Sequence, residues 1–136
     1  MLGEKILDRD TKVLNEADGV LAGRCVIMDT ANEGKVKYPT SSNLRIFAGV
    51  VQYAVATNRQ VTLATLGDVL CIAASAITIG DEVYMYGTAG KVASVPIGTT
   101  PEADYYSIGV AQTTATLDGD QVLVRLHGGT KLIETA

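Results

Sequence analysis

The chain contains no tryptophan, one phenylalanine, one histidine, two cysteines and three prolines. Each scarcity excludes something. Without tryptophan, an exposed aromatic platform for stacking sugars is poorly supplied. A single histidine, His127, with no cysteine beside it, cannot build a common zinc site, and any Ser-His-Asp arrangement would have to use it. The cysteines, Cys25 and Cys71, lie in apolar stretches with no short spacing between them, which fits buried free thiols. Basic residues are outnumbered, with 11 Lys and Arg against 15 Asp and Glu and a net charge of −4. No basic run occurs to neutralise phosphates, so no nucleic-acid partner is expected. No apolar stretch is long enough to cross a bilayer, and the charged opening MLGEKILDRD lacks the apolar segment of a signal peptide.

Absent motifs narrow the chemistry further. There is no lysine-bearing phosphate loop, no Gly-x-Gly-x-x-Gly after a strand, and no Gly-x-Ser-x-Gly elbow. Asp8-Arg9-Asp10 comes closest to a calcium loop, but Val13 stands where that loop needs its glycine. Ser94 and Ser107 have no evident activator. The expectation is a non-enzymatic protein without catalytic residues, metal or cofactor.

What is present is strand grammar. Valine and threonine occur 15 times each, and 14 glycines punctuate them. Branching at Cβ favours pleated strands, and with 47% apolar residues the chain can fill an aliphatic core. Strands are expected at 24–28, 35–38, 46–55, 60–65, 69–72, 82–86, 91–95, 106–112 and 121–127. Gly49 marks a bulge or close contact in the longest of them. Turns are expected at 18–19, 67–68, 80–81, 87–90 and 118–120. A helical turn at 73–76 and a capped helix start at Thr100-Pro101-Glu102 are conceivable. This spacing indicates an all-β fold, a compact small barrel or β-sandwich of short antiparallel strands. Residues 1–19 form an arm or a peripheral first strand, 20–130 a single β domain, and 131–136 a loose tail. Gly49-Val50-Val51-Gln52 followed by Val61-Thr62-Leu63 echoes Gly109-Val110-Ala111-Gln112 followed by Val122-Leu123-Val124. Related sub-sheets or chance both account for that echo.

One ordered series of landmarks carries a resemblance. It runs through Ala22-Gly23-Arg24-Cys25-Val26, Gly49-Val50 and the Val61/Leu63 strand. It continues through Ile77-Thr78-Ile79-Gly80-Asp81-Glu82-Val83, Gly90 with Val92, and Ile108-Gly109-Val110-Ala111. It ends in Gly119-Asp120-Gln121-Val122-Leu123-Val124-Arg125-Leu126. From about Leu21 to His127 the chain resembles the tailed-phage capsid cement, or head decoration, proteins, members of which are often mislabelled as RecA-like recombinases. The missing phosphate loop speaks against that label.

The resemblance implies a structural protein on the capsid exterior, made in the bacterial host cytoplasm. Its partners would be the major capsid protein and itself, as a homotrimer at three-fold positions. The stretch 29–45 and the first 19 residues depart from the family pattern, and attachment segments are where such proteins would differ. Ile6, Leu7, Arg9 and Lys12 are therefore the candidate capsid-binding residues, expected to become ordered on the shell, with a frayed surface terminus as the alternative. Tyr84, Tyr86, Tyr105 and Tyr106 are candidate exposed interface anchors, with half-buried strand packing the alternative reading. Rival readings are another virion component (tail, collar or head fibre), a ligand-binding β module, and a small hydrolase.

Overall fold

Nine strands follow one another along the chain, with no helix among the described residues: β1 (Lys5–Leu14), β2 (Cys25–Met28), β3 (Lys35–Lys37), β4 (Phe47–Val51), β5 (Gln60–Ile72), β6 (Glu82–Tyr86), β7 (Lys91–Ser94), β8 (Asp104–Ala111) and β9 (Gln121–Glu134). The computed structural model describes residues 3–16, 19–97 and 103–134. The helix start expected at Thr100-Pro101-Glu102 and half of the expected 18–19 turn lie outside them.

All nine strands join one sheet in the order β1-β3-β2-β4-β5-β9-β8-β6-β7. An additional β1–β5 pairing runs from Lys5↔Asp68 to Val13↔Gln60, so the pairings of the first five strands form a ring. The sheet as a whole is not a closed barrel. Its last strand, β7, is nevertheless tied back to the chain leaving β5, where Ala74 N–H donates to Val92 C=O over 2.8 Å. That contact, with the Ala73↔Val92 bridge, occupies the expected helical turn at 73–76. One pairing, β1 with β3, is parallel.

Alternation places two cores on opposite sides of the same strands. Val26, Val51, Val61 and Leu63 join Leu14, Val20 and Val36 inside the ring. Their neighbours Cys25, Ile27, Val50 and Ala64 face the other way, into a larger core with Val69, Cys71, Val83, Met85, Ile108, Val122, Val124 and Leu126. β2 and β4 are therefore buried on both faces, which explains why their sequences read as apolar runs. Both cysteines are free and fully buried in the larger core. A hydrogen bond to Cys25, reinforced by burial, pushes the Cys71 thiol well up, so it stays protonated.

Two expectations give way. Gly67-Asp68 is not a turn: β5 runs straight through it. Glycine is needed there because φ is +101° and a Cβ would collide with the Lys5 carbonyl and the Leu7 amide of β1. Gly49 does mark a bulge, with the β2–β4 register shifting between Val26↔Gly49 and Ile27↔Phe47. The second correction concerns 131–136: β9 continues to Glu134, paired with Asp104, so residues 131–134 are strand rather than loose tail. The expected last strand ended early because Gly128-Gly129 reads as a terminator. Those glycines instead form a wide bulge, over which β8 advances from Gly109 back to Ser107 while β9 advances from Leu126 to Lys131.

The sequence echo is structural. Gly23 N–H donates to Val51 C=O and Val51 N–H to Arg24 C=O, over 2.8 and 2.9 Å. Gly80 N–H donates to Ala111 C=O and Ala111 N–H to Asp81 C=O, both over 2.8 Å. The bridges Val20↔Val55 and Ile77↔Ala115 correspond in the same way. The strand order β3-β2-β4-β5 is accordingly mirrored by β7-β6-β8-β9, and the β5–β9 ladder joins the two halves. Among the described residues, β1 has no counterpart in the second half.

Candidate interaction surfaces

The candidate residues of the N-terminal arm all lie on β1, which is already paired to β5 rather than waiting for a partner to order it. Two of its apolar positions are anchored: Leu14 is fully buried, and Ile6 packs half-buried against the larger core. Leu7 points out, 65% exposed. Arg9 is exposed, and its Nε donates to Gln52 Oε1 over 2.7 Å. Lys12 is half-buried, with its ammonium 3.3 Å from Asp10. The structure thus leaves Leu7, Arg9 and Lys12 on the surface and assigns Ile6 to packing.

Next to Leu7 is a groove of about 360 Å³ lined by Lys5, Leu7, Leu66, Gly67, Asp68 and Arg125, among others. It forms where β5 passes from its β1 partner to its β9 partner. Asp68 sits between Lys5 and Arg125 in register. Arg125 grips it in bidentate fashion, Nε to Oδ1 at 2.8 Å and a terminal nitrogen to Oδ2 at 3.1 Å. That hydrogen-bonded guanidinium holds the Asp68 carboxyl below the usual range, against a smaller opposing effect of burial. Leu66, Asp68 and Arg125 were not singled out from sequence, because their proximity to β1 depends on the β1–β5 register.

The tyrosines divide. Tyr84, Tyr86 and Tyr105 gather on the outer face of the second half. The Tyr84 ring stands edge-on to Tyr105 at 4.8 Å and to Tyr86 at 6.2 Å. Tyr84 is only 8% exposed and packs with Ala93, Val95, Tyr105 and Ile133, so it is not the exposed anchor expected. Burial, with Tyr105 and Tyr86 nearby, pushes its hydroxyl pKa up. Tyr86 is 48% exposed. Tyr106, half-buried on the alternate side of β8, is absent from this cluster, and its N–H donates to Asn43 Oδ1.

His127 is the one place where triad-type residues meet. Its Nε2 lies 2.9 Å from Glu82 Oε2 and 3.2 Å from Ser107 Oγ, and Ser107 also donates directly to Glu82. A relay needs the acid on one imidazole nitrogen and the serine on the other; here one nitrogen serves both. Ser107 is fully buried, so its hydroxyl could not meet a substrate. The cluster ties β6, β8 and β9 together at the wide bulge, with Lys131 3.7 Å from the other Glu82 oxygen. Burial opposes the Glu82 charge, but the bonds from Ser107 and His127 outweigh it and leave the carboxyl pKa lowered.

No curated protein matches the chain in sequence. Among solved structures, the "head fiber gp8.5 N base" of bacteriophage phi29 shares the fold, with a TM-score of 0.63 at 20% identity over 91% of this chain and 97% of that one. A family model for phage cement proteins matches residues 7–126, spanning every strand from within β1 to the β9 bulge. The chain belongs to the phage cement protein family.

Proposed function

We propose that this virion structural protein coats the outside of a phage capsid and stabilises it by binding the major capsid protein as a homotrimer at three-fold positions. The family match over residues 7–126 carries the reading. The build suits it: two aliphatic cores sharing doubly buried strands make a rigid body. Cement needs rigidity and a contact surface rather than reactive groups. The contact is assigned to β1 through Leu7, Arg9 and Lys12, with Tyr86 and Tyr105 at the interface between protomers. A cyclic trimer presents three equivalent contacts, so interfaces on the order of 1,000–1,600 Å² each combine through effective concentration.

The test is to purify particles with and without this chain and measure its copy number and the heat stability of the shell. A copy number close to that of the shell subunit, with shells that rupture at lower temperature when it is missing, is the expected result. A few copies per particle and unchanged shell stability would overturn it. Such a result would favour a second reading, a base for head fibres, which the fold shared with the phi29 protein suggests.

A further inference from the structure

Among the described residues, the outer edge of β1 is open and guarded. Toward β5, Leu14 N–H donates to the Arg59 carbonyl, while Val13 N–H points the other way, to Gly34 C=O. Strand alternation therefore turns the Arg9 and Thr11 amides outward, away from β5. β3 fills that outer lane only opposite Val13 and Leu14. In the vacant part, the Arg9 amide donates to Asp8 Oδ1 over 3.0 Å and the Thr11 amide to Asp10 Oδ1 over 2.8 Å. Each outward N–H is stoppered by the carboxylate of the residue before it. Exposed sheet edges invite pairing with other chains, and charged side chains are a common way of blocking them.

At the end of the lane where β3 takes over, a groove of about 510 Å³ is lined by Lys12, Met28, Ala31, Glu33 and Lys35, among others, with Met28 49% exposed.

We propose that this lane is the binding site for an extended segment of the shell protein, which adds to β1 as a further strand and carries Lys or Arg at alternate positions. The inference rests on the reading of β1 as the shell contact. The incoming carbonyls replace Asp8 and Asp10 on the Arg9 and Thr11 amides. The freed carboxylates, two residues apart, then pair with cations spaced two residues apart on the incoming strand. A chain of net charge −4 favours a basic partner in the same sense.

The experiment uses empty shells lacking this chain, from the phage that encodes it, and the full-length protein. Hydrogen exchange is followed at the Arg9 and Thr11 amides, free and shell-bound. Binding is measured for wild type, Thr11→Pro and Thr11→Val. Proline at 11 removes an outward N–H, fixes φ there and leaves the donors toward β5 in place, a position where edge strands accept it. Slowed exchange at both amides, with binding at least about tenfold weaker for Thr11→Pro than for Thr11→Val, which keeps the amide, is the expected result. Should Thr11→Pro fail to fold, the exchange result on the wild type decides alone. Binding with unchanged exchange at these amides overturns strand addition. If Leu7→Ala or Lys12→Ala then weakens binding, β1 remains the contact through its side chains. Absence of wild-type binding overturns the functional reading itself.

Discussion

Asn15, one residue beyond β1, donates a 2.6 Å hydrogen bond to Asp29, one residue beyond β2. The Asp29 carboxylate also accepts from Asn32 Nδ2 and the Ala31 amide, with Lys37 at 4.0 Å, and the residue is 5% exposed. It fastens the exit of β1 to the β2–β3 loop, closing the ring where β1 meets β3.

The first prediction follows from its titration. The hydrogen bonds from Asn15 and Asn32 hold the Asp29 carboxyl at about 2. Its folded-state pKa is thus depressed below the ordinary aspartate value, so the folded state binds fewer protons than the unfolded one in acid. The stabilisation is complete above the unfolded pKa and is lost as pH falls from about 4 toward about 2. Thermal melts of wild type and Asp29→Asn should therefore differ most near pH 6 and converge near pH 2. A constant gap across that range would show that the charge is not what stabilises.

A second prediction concerns the joint between the halves. Gly67→Ala adds a Cβ against the Lys5 carbonyl in a backbone region reserved for glycine, and should cost about 2 kcal/mol or more by chemical denaturation. Gly34→Ala has a positive φ too but open space around it, and should cost only about 1 kcal/mol. Equal losses would mean that the close approach of β1 is unimportant.

These cases show how far residues alone can be read. Fold class, most strand positions and the core identities of Val61, Leu63, Val122, Val124 and Leu126 follow from alternation, a local property. The continuity of β5 through Gly67-Asp68 was hidden because those residue types ordinarily make turns, and only the neighbouring β1 changes their meaning. Alternation alone puts Tyr84 and Tyr86 on one face of β6, but burial of Tyr84 depends on Tyr105 from another strand. At Asp8-Arg9-Asp10 the pattern suggested a failed ion site. The carboxylates instead serve their own backbone, which becomes apparent once β1 is known to be an edge.

A third prediction tests the cooperativity of the two cores. Val26 and Val51 face one, and their neighbours Cys25 and Val50 the other. Emptying either core should loosen both. Leu63→Ala, at a fully buried site, should cost about 2–5 kcal/mol. Global exchange of the Val124 amide in the second half should then accelerate as much as that of Val26 in the first. Acceleration confined to the first half would show two independent units.

A fourth prediction addresses Ser107. Its hydroxyl is fully buried and joins Glu82 to His127, so Ser107→Ala, which removes one of the donors to Glu82 while His127 stays, should cost about 1 kcal/mol. Wild-type protein should not be labelled by a fluorophosphonate, because the hydroxyl is neither exposed nor served by a free imidazole nitrogen. Labelling at Ser107 would instead revive a hydrolase reading.

The last prediction returns to the guarded edge. If Asp8 and Asp10 stopper the outward amides of β1, then Asp8→Ala combined with Asp10→Ala leaves two strand N–H groups open to water beside the exposed Leu7. An unblocked edge pairs with whatever extended chain it meets, including another copy of itself. The double variant should keep its fold by circular dichroism yet show a higher mass than wild type by light scattering, increasing with protein concentration. Asp118→Ala, which removes an exposed carboxylate that pairs with the Lys91 side chain rather than with a β1 amide, should behave as wild type and separates unblocked amides from lost charge. An unchanged mass for the double variant would mean that the two aspartates satisfy their amides without protecting the strand.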